Sequence, residues 1–292
     1  MEHTLKARLQ QAPALLCPGV YDAFSAAMAA EAGFEAIYLS GAAMAYTLLG
    51  KPDIGLLSLH EVADVMFRIR ERVDVPVIAD GDTGWGNAIN VQRTMRVLER
   101  AGASAVQLED QGFPKRCGHL KGKNLIPTGE MVGKIHAALD ARDKTLVIAR
   151  TDAIAVEGFE RALDRGEAYL EAGADVVFVE APENDEQMHG IVKRFGRRVP
   201  LMANMIEGGR TPLKSVQELD ALGFSLVIFP AGVVRALAKT VQEYYAVLKA
   251  NGTSASMMPR MFDFVGLNEV IGTERILAAG RAYENIEKKA AE

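Results

Sequence analysis

An α/β fold of the (β/α)₈ TIM-barrel class is predicted by three features of the chain: eight short apolar runs, a helical pattern between them, and an internal echo where they join. The runs are "ALLCPGV" (14–20), "EAIYLSG" (35–41), "VPVIADGD" (75–82), "ASAVQLED" (103–110), "TLVIARTD" (145–152), "ADVVFVEA" (174–181), "VPLMANM" (199–205) and "SLVIFPAG" (225–232). They are continuously apolar rather than alternating, as strands buried on both faces should be. Between them lie helical patterns such as "NVQRTMRVLERAG", "GFERALDRGEAYLEAG" and "SVQELDALG". Strand and helix therefore alternate, which implies a parallel sheet. The echo is "EAGFEAIYL", "RAGASAVQL", "EAGADVVFV" and "ALGFSLVIF". In each, a helix ends in a glycine able to take the left-handed C′ conformation, and a strand follows at once. A closed barrel is the simplest architecture for eight such units, with a doubly wound open sheet as the alternative.

The 292 residues suit one α/β barrel domain, with the barrel over about 14–250 and a C-terminal helical extension over about 254–292. That extension, "MMPRMFDFVGLNEVIGTERILAAGRAYE", is Met-rich and semi-amphipathic. It is expected to cap the barrel or to pack on another subunit. Apolar residues at 49% and charged residues at 24% give an ordinary globular profile. A net charge of −5 argues against a nucleic-acid partner. No apolar run approaches membrane length, so no membrane association is expected. The start, "MEHTLKARLQ", lacks the apolar segment of a signal peptide, and two cysteines are too few for a disulfide framework. The expected location is the cytoplasm. Cys17 reads as a buried core thiol.

Active sites of such barrels lie at the C-terminal ends of the strands. Those ends carry Ser40, Asp80 with Asp82, Glu109 with Asp110, Arg150 with Asp152, Glu180, Asn204 and Arg235. Any one strand-end acid can simply cap the next helix. Delivery of a polar residue by seven of eight strands to one rim is harder to assign to capping. "DGDTGWGN" has glycines after a strand, but Gly84 and Gly86 have no third glycine at the dinucleotide spacing, and two acids would repel a pyrophosphate. Asp80 and Asp82 flanking Gly81, with Glu109 on the next strand, instead suit a hard cation such as Mg²⁺. No Cys/His spacing suits zinc, and there is no G-x-S-x-G elbow. His3, His60, His136 and His189 show no ligand spacing.

The two longest connections follow strands two and four. The second holds "EDQGFPKRCGHLKGKN" (109–124). A long loop at the catalytic rim is a candidate lid, with Gly112, Gly118 and Gly122 as hinges. Lys115 and Arg116 are suited to bind an anionic substrate and to favour the thiolate of Cys117. A thiol titrating near the working pH exchanges protons efficiently.

Taken together, "YLSG", "DGDTGWG", "LEDQ", "KRCGH", "ARTDA", "VEAP" and "NMIEGG" resemble the isocitrate lyase/phosphoenolpyruvate mutase superfamily, from about Pro18 to Arg235 and in the right order. The resemblance implies a barrel whose eighth helix is swapped between subunits, usually in a homotetramer built as a dimer of dimers. It implies Mg²⁺, with Mn²⁺ as a substitute, and chemistry on pyruvate-like enolates. Carried over, Asp80 is the direct metal ligand, and Asp53, Asp82 and Glu109 hold the metal's waters. Tyr38, Ser40, Gly41 and Arg150 hold the 2-oxo or 2-hydroxy acid end, while Glu180, Asn204 and Arg235 line the rest of the pocket. Cys117 is the proton donor, on a loop with Lys115, Gly118 and His119. The Cys-Gly-His loop is a lyase signature that also occurs in a carboxyphosphonoenolpyruvate mutase branch. "FPKRCGHLKGK" and "NMIEGGRTP" look nearest the 2,3-dimethylmalate and 2-methylmalate lyases. Methylisocitrate lyases tend to have Thr-Glu-Phe where this chain has Ile206, Glu207 and Gly208. The expected activity is Mg²⁺-dependent carbon–carbon cleavage of a small di- or tricarboxylate with a 2-hydroxyl. The alternatives are methylisocitrate cleavage, a phosphonomutase, or a barrel that binds a carboxylate without turnover.

Overall fold

The computed structural model describes residues 4–118 and 122–290, with side chains described as far as Tyr283. Eight parallel strands close into a barrel in sequence order: β1 Leu15–Val20, β2 Ile37–Leu39, β3 Val77–Asp80, β4 Ala105–Glu109, β5 Leu146–Thr151, β6 Val176–Val179, β7 Leu201–Asn204 and β8 Leu226–Phe229. Closure is made by β1 against β8, with Leu15 opposite Leu226 and Pro18 opposite Phe229. The open-sheet alternative is thereby excluded. All eight expected strands are present, each shorter than its apolar run.

The four echoed glycines have the predicted left-handed backbone: Gly33 at φ 85°, Gly102 at 103°, Gly173 at 99° and Gly223 at 112°. A residue with a Cβ would be strained there, which is why the junctions repeat glycine. Helix starts are fixed by reciprocal caps, among them Ser58 with Glu61 and Ser215 with Glu218.

Successive strand residues point to opposite faces, and this alternation sorts the core. Ile37, Leu39, Val77, Ala79, Val106, Leu108, Val147 and Ala149 join the helices in the outer core. Cys17, Tyr38, Ile78, Ala105, Ile148, Phe178, Met202 and Ile228 form a separate buried cluster, the barrel interior, joined by Leu5 and Leu9 of the N-terminal segment. Following the interior parity toward the strand ends leads to Asp80, Gln107, Glu109, Arg150 and Glu180, all buried. The interior is therefore apolar below and charged at its C-terminal mouth. Cys17 is fully buried as expected, and burial pushes its thiol pKa up.

The chain divides into two compact units, Met1–Val234 and Arg235–Glu292. The boundary falls inside the helix Gly232–Asn251. The second unit continues with a short 3₁₀ turn, Ala255–Arg260, and helices Phe264–Ile271 and Thr273–Ala290. Within it Arg260 pairs with Glu243 at 2.5 Å. No helix among the described residues is long and apolar enough to cross a membrane.

Glu99 ties the barrel's outer layer to the start of β5, accepting hydrogen bonds from the backbone N–H groups of Asp143, Lys144 and Thr145 at 2.7–2.9 Å. Burial alone would raise its pKa, but these donors outweigh burial and hold it below the usual range. A depressed folded-state pKa stabilises the fold above the unfolded carboxylate range and ceases to do so as pH falls. Glu99→Gln should cost about 1–2 kcal/mol at neutral pH. The melting temperatures of the variant and the parent should converge as pH drops below about 4.

Candidate active site

At the mouth of the barrel, six buried carboxylates meet three buried cations among the described residues: Asp53, Asp80, Asp82, Glu109, Asp152 and Glu180 against Lys115, Lys123 and Arg150. Asp80 ends β3. Its Oδ2 accepts from the Gly41 N–H at 3.2 Å and its Oδ1 from the Asp82 N–H at 3.3 Å. Gly41 follows Ser40, whose side chain caps the helix Gly41–Met44 by accepting from the Ala43 N–H. A Cβ on Gly41 would lie 2.9 Å from Asp80 Oδ2, so the backbone reaches the carboxylate only because no side chain intervenes. Asp82 sits beyond the strand at φ 44°, in the left-handed region that a non-glycine residue seldom adopts. The turn after it is held by buried Lys134, which donates to the Thr83 carbonyl at 3.0 Å.

Lys115 is bound between Asp53 and Asp82, its Nζ 2.5 Å from Asp53 Oδ1 and 2.8 Å from Asp82 Oδ1. Burial opposes its charge, but Asp82 and Asp53 hold its pKa well above the usual value. Burial pushes Asp82 up to about 6 against the pull of Lys115. Burial also pushes Glu109 well above the usual range, with Arg150 opposing. Glu109 Oε1 is buried without a hydrogen-bond partner, as is Asn204 Oδ1. Arg150 lies 3.4 Å from Glu109 and 3.8 Å from Glu180, and it gives two hydrogen bonds to Asp152. Asn204 Nδ2 donates to Glu180 at 3.2 Å.

The cysteine loop is folded onto this layer. The Cys117 N–H donates to the Asp53 carbonyl at 3.2 Å. A Cβ on Gly118 would fall 2.4 Å from Glu180 Oε1 and 2.5 Å from Arg150 Nη2, so only glycine lets the loop lie against both. Lys123 returns to donate to the Gly118 carbonyl and to Asp152. Gln111 clamps the base of the loop, exchanging hydrogen bonds with the Arg116 backbone.

The structure thus brings together Asp53, Asp80, Asp82, Glu109, Lys115, Cys117, Gly118, Arg150, Glu180, Asn204, Ser40 and Gly41. Tyr38 lies in the barrel interior, 2% exposed, and its hydroxyl donates to Gln107 Oε1 at 3.1 Å, beneath Asp80. Arg235 is exposed and is the first residue of the second unit. Its sequence position past β8 marks the chain's turn into a helix. His119 lies outside the described residues. Asp110, on the opposite parity from Glu109, turns away from the interior and meets Tyr169 and Arg165. Lys115 is engaged by Asp53 and Asp82, a placement its sequence neighbourhood did not foretell. Two residues were not anticipated. Gln107 shares the parity of Glu109, which was the available signal, and its Nε2 donates to Asp80 Oδ1 at 3.4 Å. Lys123 meets Asp152 across 29 residues, a pairing with no local signature.

Among the described residues no three of His, Cys, Asp and Glu converge as a ready-made metal cage. All the donors at the mouth are hard oxygens, they carry surplus negative charge, and one buried carboxylate oxygen is unpartnered. That set fits an ion such as Mg²⁺, which takes one or two carboxylates and keeps water for its other positions.

The profile of the phosphoenolpyruvate phosphomutase family matches residues 5–248. The chain is 43% identical over 273 residues to 2,3-dimethylmalate lyase of Eubacterium barkeri, covering 92% of this chain and 93% of that one. It is 43% identical over 290 residues to 2-methylisocitrate lyase of Aeropyrum pernix, covering 99% of this chain and 89% of that one. Its fold superposes with a TM-score of 0.91, at 34% identity and 96% coverage of both chains, on oxaloacetate acetylhydrolase in complex with the inhibitor 3,3-difluorooxalacetate.

Iodoacetamide should label the half-buried Cys117 and leave the fully buried Cys17 unmodified, as read by peptide mass spectrometry. Gly118→Ala, which must push the loop off Glu180 and Arg150, should speed the labelling of Cys117. An unchanged rate would mean that the loop does not depend on that contact.

Proposed function

The chain belongs to the phosphoenolpyruvate mutase/isocitrate lyase superfamily, and from that premise we propose that it is a Mg²⁺-dependent carbon–carbon lyase for 2-hydroxy dicarboxylates of the 2-methylmalate or 2,3-dimethylmalate type. The observation that carries the reading is the seat of Gly118 on Arg150 and Glu180, which sets Cys117 beside the residues suited to hold a carboxylic acid. Asp80 would hold the ion, with Asp53, Asp82 and Glu109 on its water shell. Mn²⁺ is expected to substitute. The ion would supply Lewis-acid stabilisation of the charge on the 2-hydroxy acid.

Arg150 presents a guanidinium to the substrate's C1 carboxylate, and the Gly41 N–H and Ser40 fix the same end. Transfer of the 2-hydroxyl proton to a carboxylate of the mouth turns that oxygen into a carbonyl as the bond between C2 and C3 breaks. The bonding pair passes to C3, which becomes the enolate carbon of the departing acid. The Cys117 thiol delivers its proton there. 2-Methylmalate then yields pyruvate and acetate, and 2,3-dimethylmalate yields pyruvate and propionate. Glu180 and Asn204 are assigned to the distal part of the substrate. The closed loop keeps water from the enolate. Lys115, Gly118 and His119 serve the loop that carries the thiol.

The reading extends to a cytoplasmic homotetramer, a dimer of dimers. The exposed apolar residues Leu237, Val241, Tyr245 and Leu248 of the helix Gly232–Asn251 support an association between subunits.

A panel of malates and citrates, followed by lactate dehydrogenase detection of pyruvate, tests the proposal. The highest kcat/KM is expected on a methyl-substituted malate. A preference for methylisocitrate, a substrate class named in a 43% identical relative, would move the assignment to that acid. Phosphonate rearrangement seen by phosphorus NMR would replace cleavage by mutase chemistry. Silence in both would leave a carboxylate-binding barrel. Cys117→Ser should lower kcat by about 10²–10⁴-fold with little change in KM. A rate within a few-fold of the parent would remove Cys117 as the acid.

A further inference from the structure

Asp152 is fully buried and has no assigned part in binding or chemistry, yet two cations of the mouth are hung on its carboxylate by three hydrogen bonds. Arg150 Nε donates to its Oδ2 at 2.9 Å and Arg150 Nη2 to its Oδ1 at 3.0 Å, the parallel geometry that fixes a guanidinium plane. Lys123 Nζ donates to Oδ1 at 2.9 Å, and the same ammonium binds the Gly118 carbonyl next to Cys117. The backbone of Asp152 is itself pinned, its N–H donating to Asp110 Oδ1 at 2.9 Å. Asp110 is anchored in turn by Thr151 and Tyr169, each donating to its Oδ2 at 2.7 Å, and by Arg165 at 3.3 Å. Arg165 reaches on to Glu157 at 2.7 Å and to the Ile126 carbonyl at 3.0 Å. A chain of bonds thus runs from the outer helix Phe159–Glu171, through the barrel wall, to the guanidinium.

Two other acids compete for that guanidinium. Glu109 lies 3.4 Å and Glu180 3.8 Å from it, both farther than Asp152, while the Phe178 ring lies 5.3 Å from its carbon. Without a two-point partner, Arg150 would tip toward one of them and turn away from an incoming carboxylate. We propose that Asp152 is the positioning residue that sets the orientation of Arg150 for carboxylate binding, and that Asp110 fixes Asp152 from outside the barrel. The strong acidity of Asp152 agrees: burial would raise its pKa, but Arg150 and Lys123 hold it at about 2. The inference rests on the functional reading only in taking Arg150 as the carboxylate's partner.

The test is a double-mutant cycle on oxalate binding, measured by calorimetry in Mg²⁺ on the full chain, with melting curves for each variant. Asp152→Asn should weaken oxalate by about tenfold or more, the loss seen when an outer partner that orients a binding side chain is removed. In an Arg150→Ala background the same substitution should change affinity by less than about twofold, because its effect passes through Arg150. An equal loss in both backgrounds, or none in either, overturns the assignment. Asp152→Glu, which keeps the charge but displaces it, replaces Asn in the cycle if the Asn variant shows no cooperative melt. Failure of both to fold would place Asp152 in the folding of the barrel and overturn the positioning role. If the parent binds no oxalate, the functional reading falls by itself. Solvent exchange of the Arg150 Nε–H then decides: Asp152→Asn must accelerate it, and an unchanged rate overturns the inference.

Discussion

Charge balance in a space closed to water governs the mouth of this barrel. Six carboxylates and three cations are buried there among the described residues, and isolated charges are costly to bury. Lys115 between Asp53 and Asp82, and Arg150 on Asp152, neutralise part of the layer. The remainder stays negative, and burial holds Asp82 and Glu109 toward protonation. The arrangement stores affinity for a further cation and, through Arg150, for an anion. That combination suits a substrate that arrives as a carboxylate and reacts beside a metal ion.

The loop follows from the same constraint. Its lysine, Lys115, is a counter-ion of the layer. Its glycine, Gly118, touches Arg150 and Glu180, and Lys123 brings the chain back to Asp152. Each contact joins the cysteine segment to the rim by a group the rim already needs, so the position of Cys117 and the charge state of the mouth are linked. On the proposed reading, Glu180 and Asn204 stand around the departing fragment.

The barrel was legible because its signals are local and repeated. Continuous apolar runs, helical periodicity and the glycines at 33, 102, 173 and 223 each report a backbone state set by a few neighbouring residues. Five of the six carboxylates of the mouth were legible from their places at or just past strand ends, whereas Asp53, in the connection after β2, was named only through the resemblance. Alternation then separates Glu109, which faces inward, from Asp110, which faces Tyr169, and it equally marks Gln107, hidden in an apolar run. Tyr38 sits one layer beneath the acids, its hydroxyl donating to Gln107, which donates in turn to Asp80. Lys123 with Asp152, and Lys115 between Asp53 and Asp82, are contacts over long separations that no spacing rule encodes.

The central claim is that the acidic layer is completed by a divalent cation held on Asp80. The most direct measurement is a Mn²⁺ titration of metal-stripped protein followed by electron paramagnetic resonance, without substrate. The account predicts one ion per chain in the parent, and none in an Asp80→Ala variant that melts cooperatively. A parent that binds no ion, or an Asp80→Ala variant that binds it as the parent does, would contradict it.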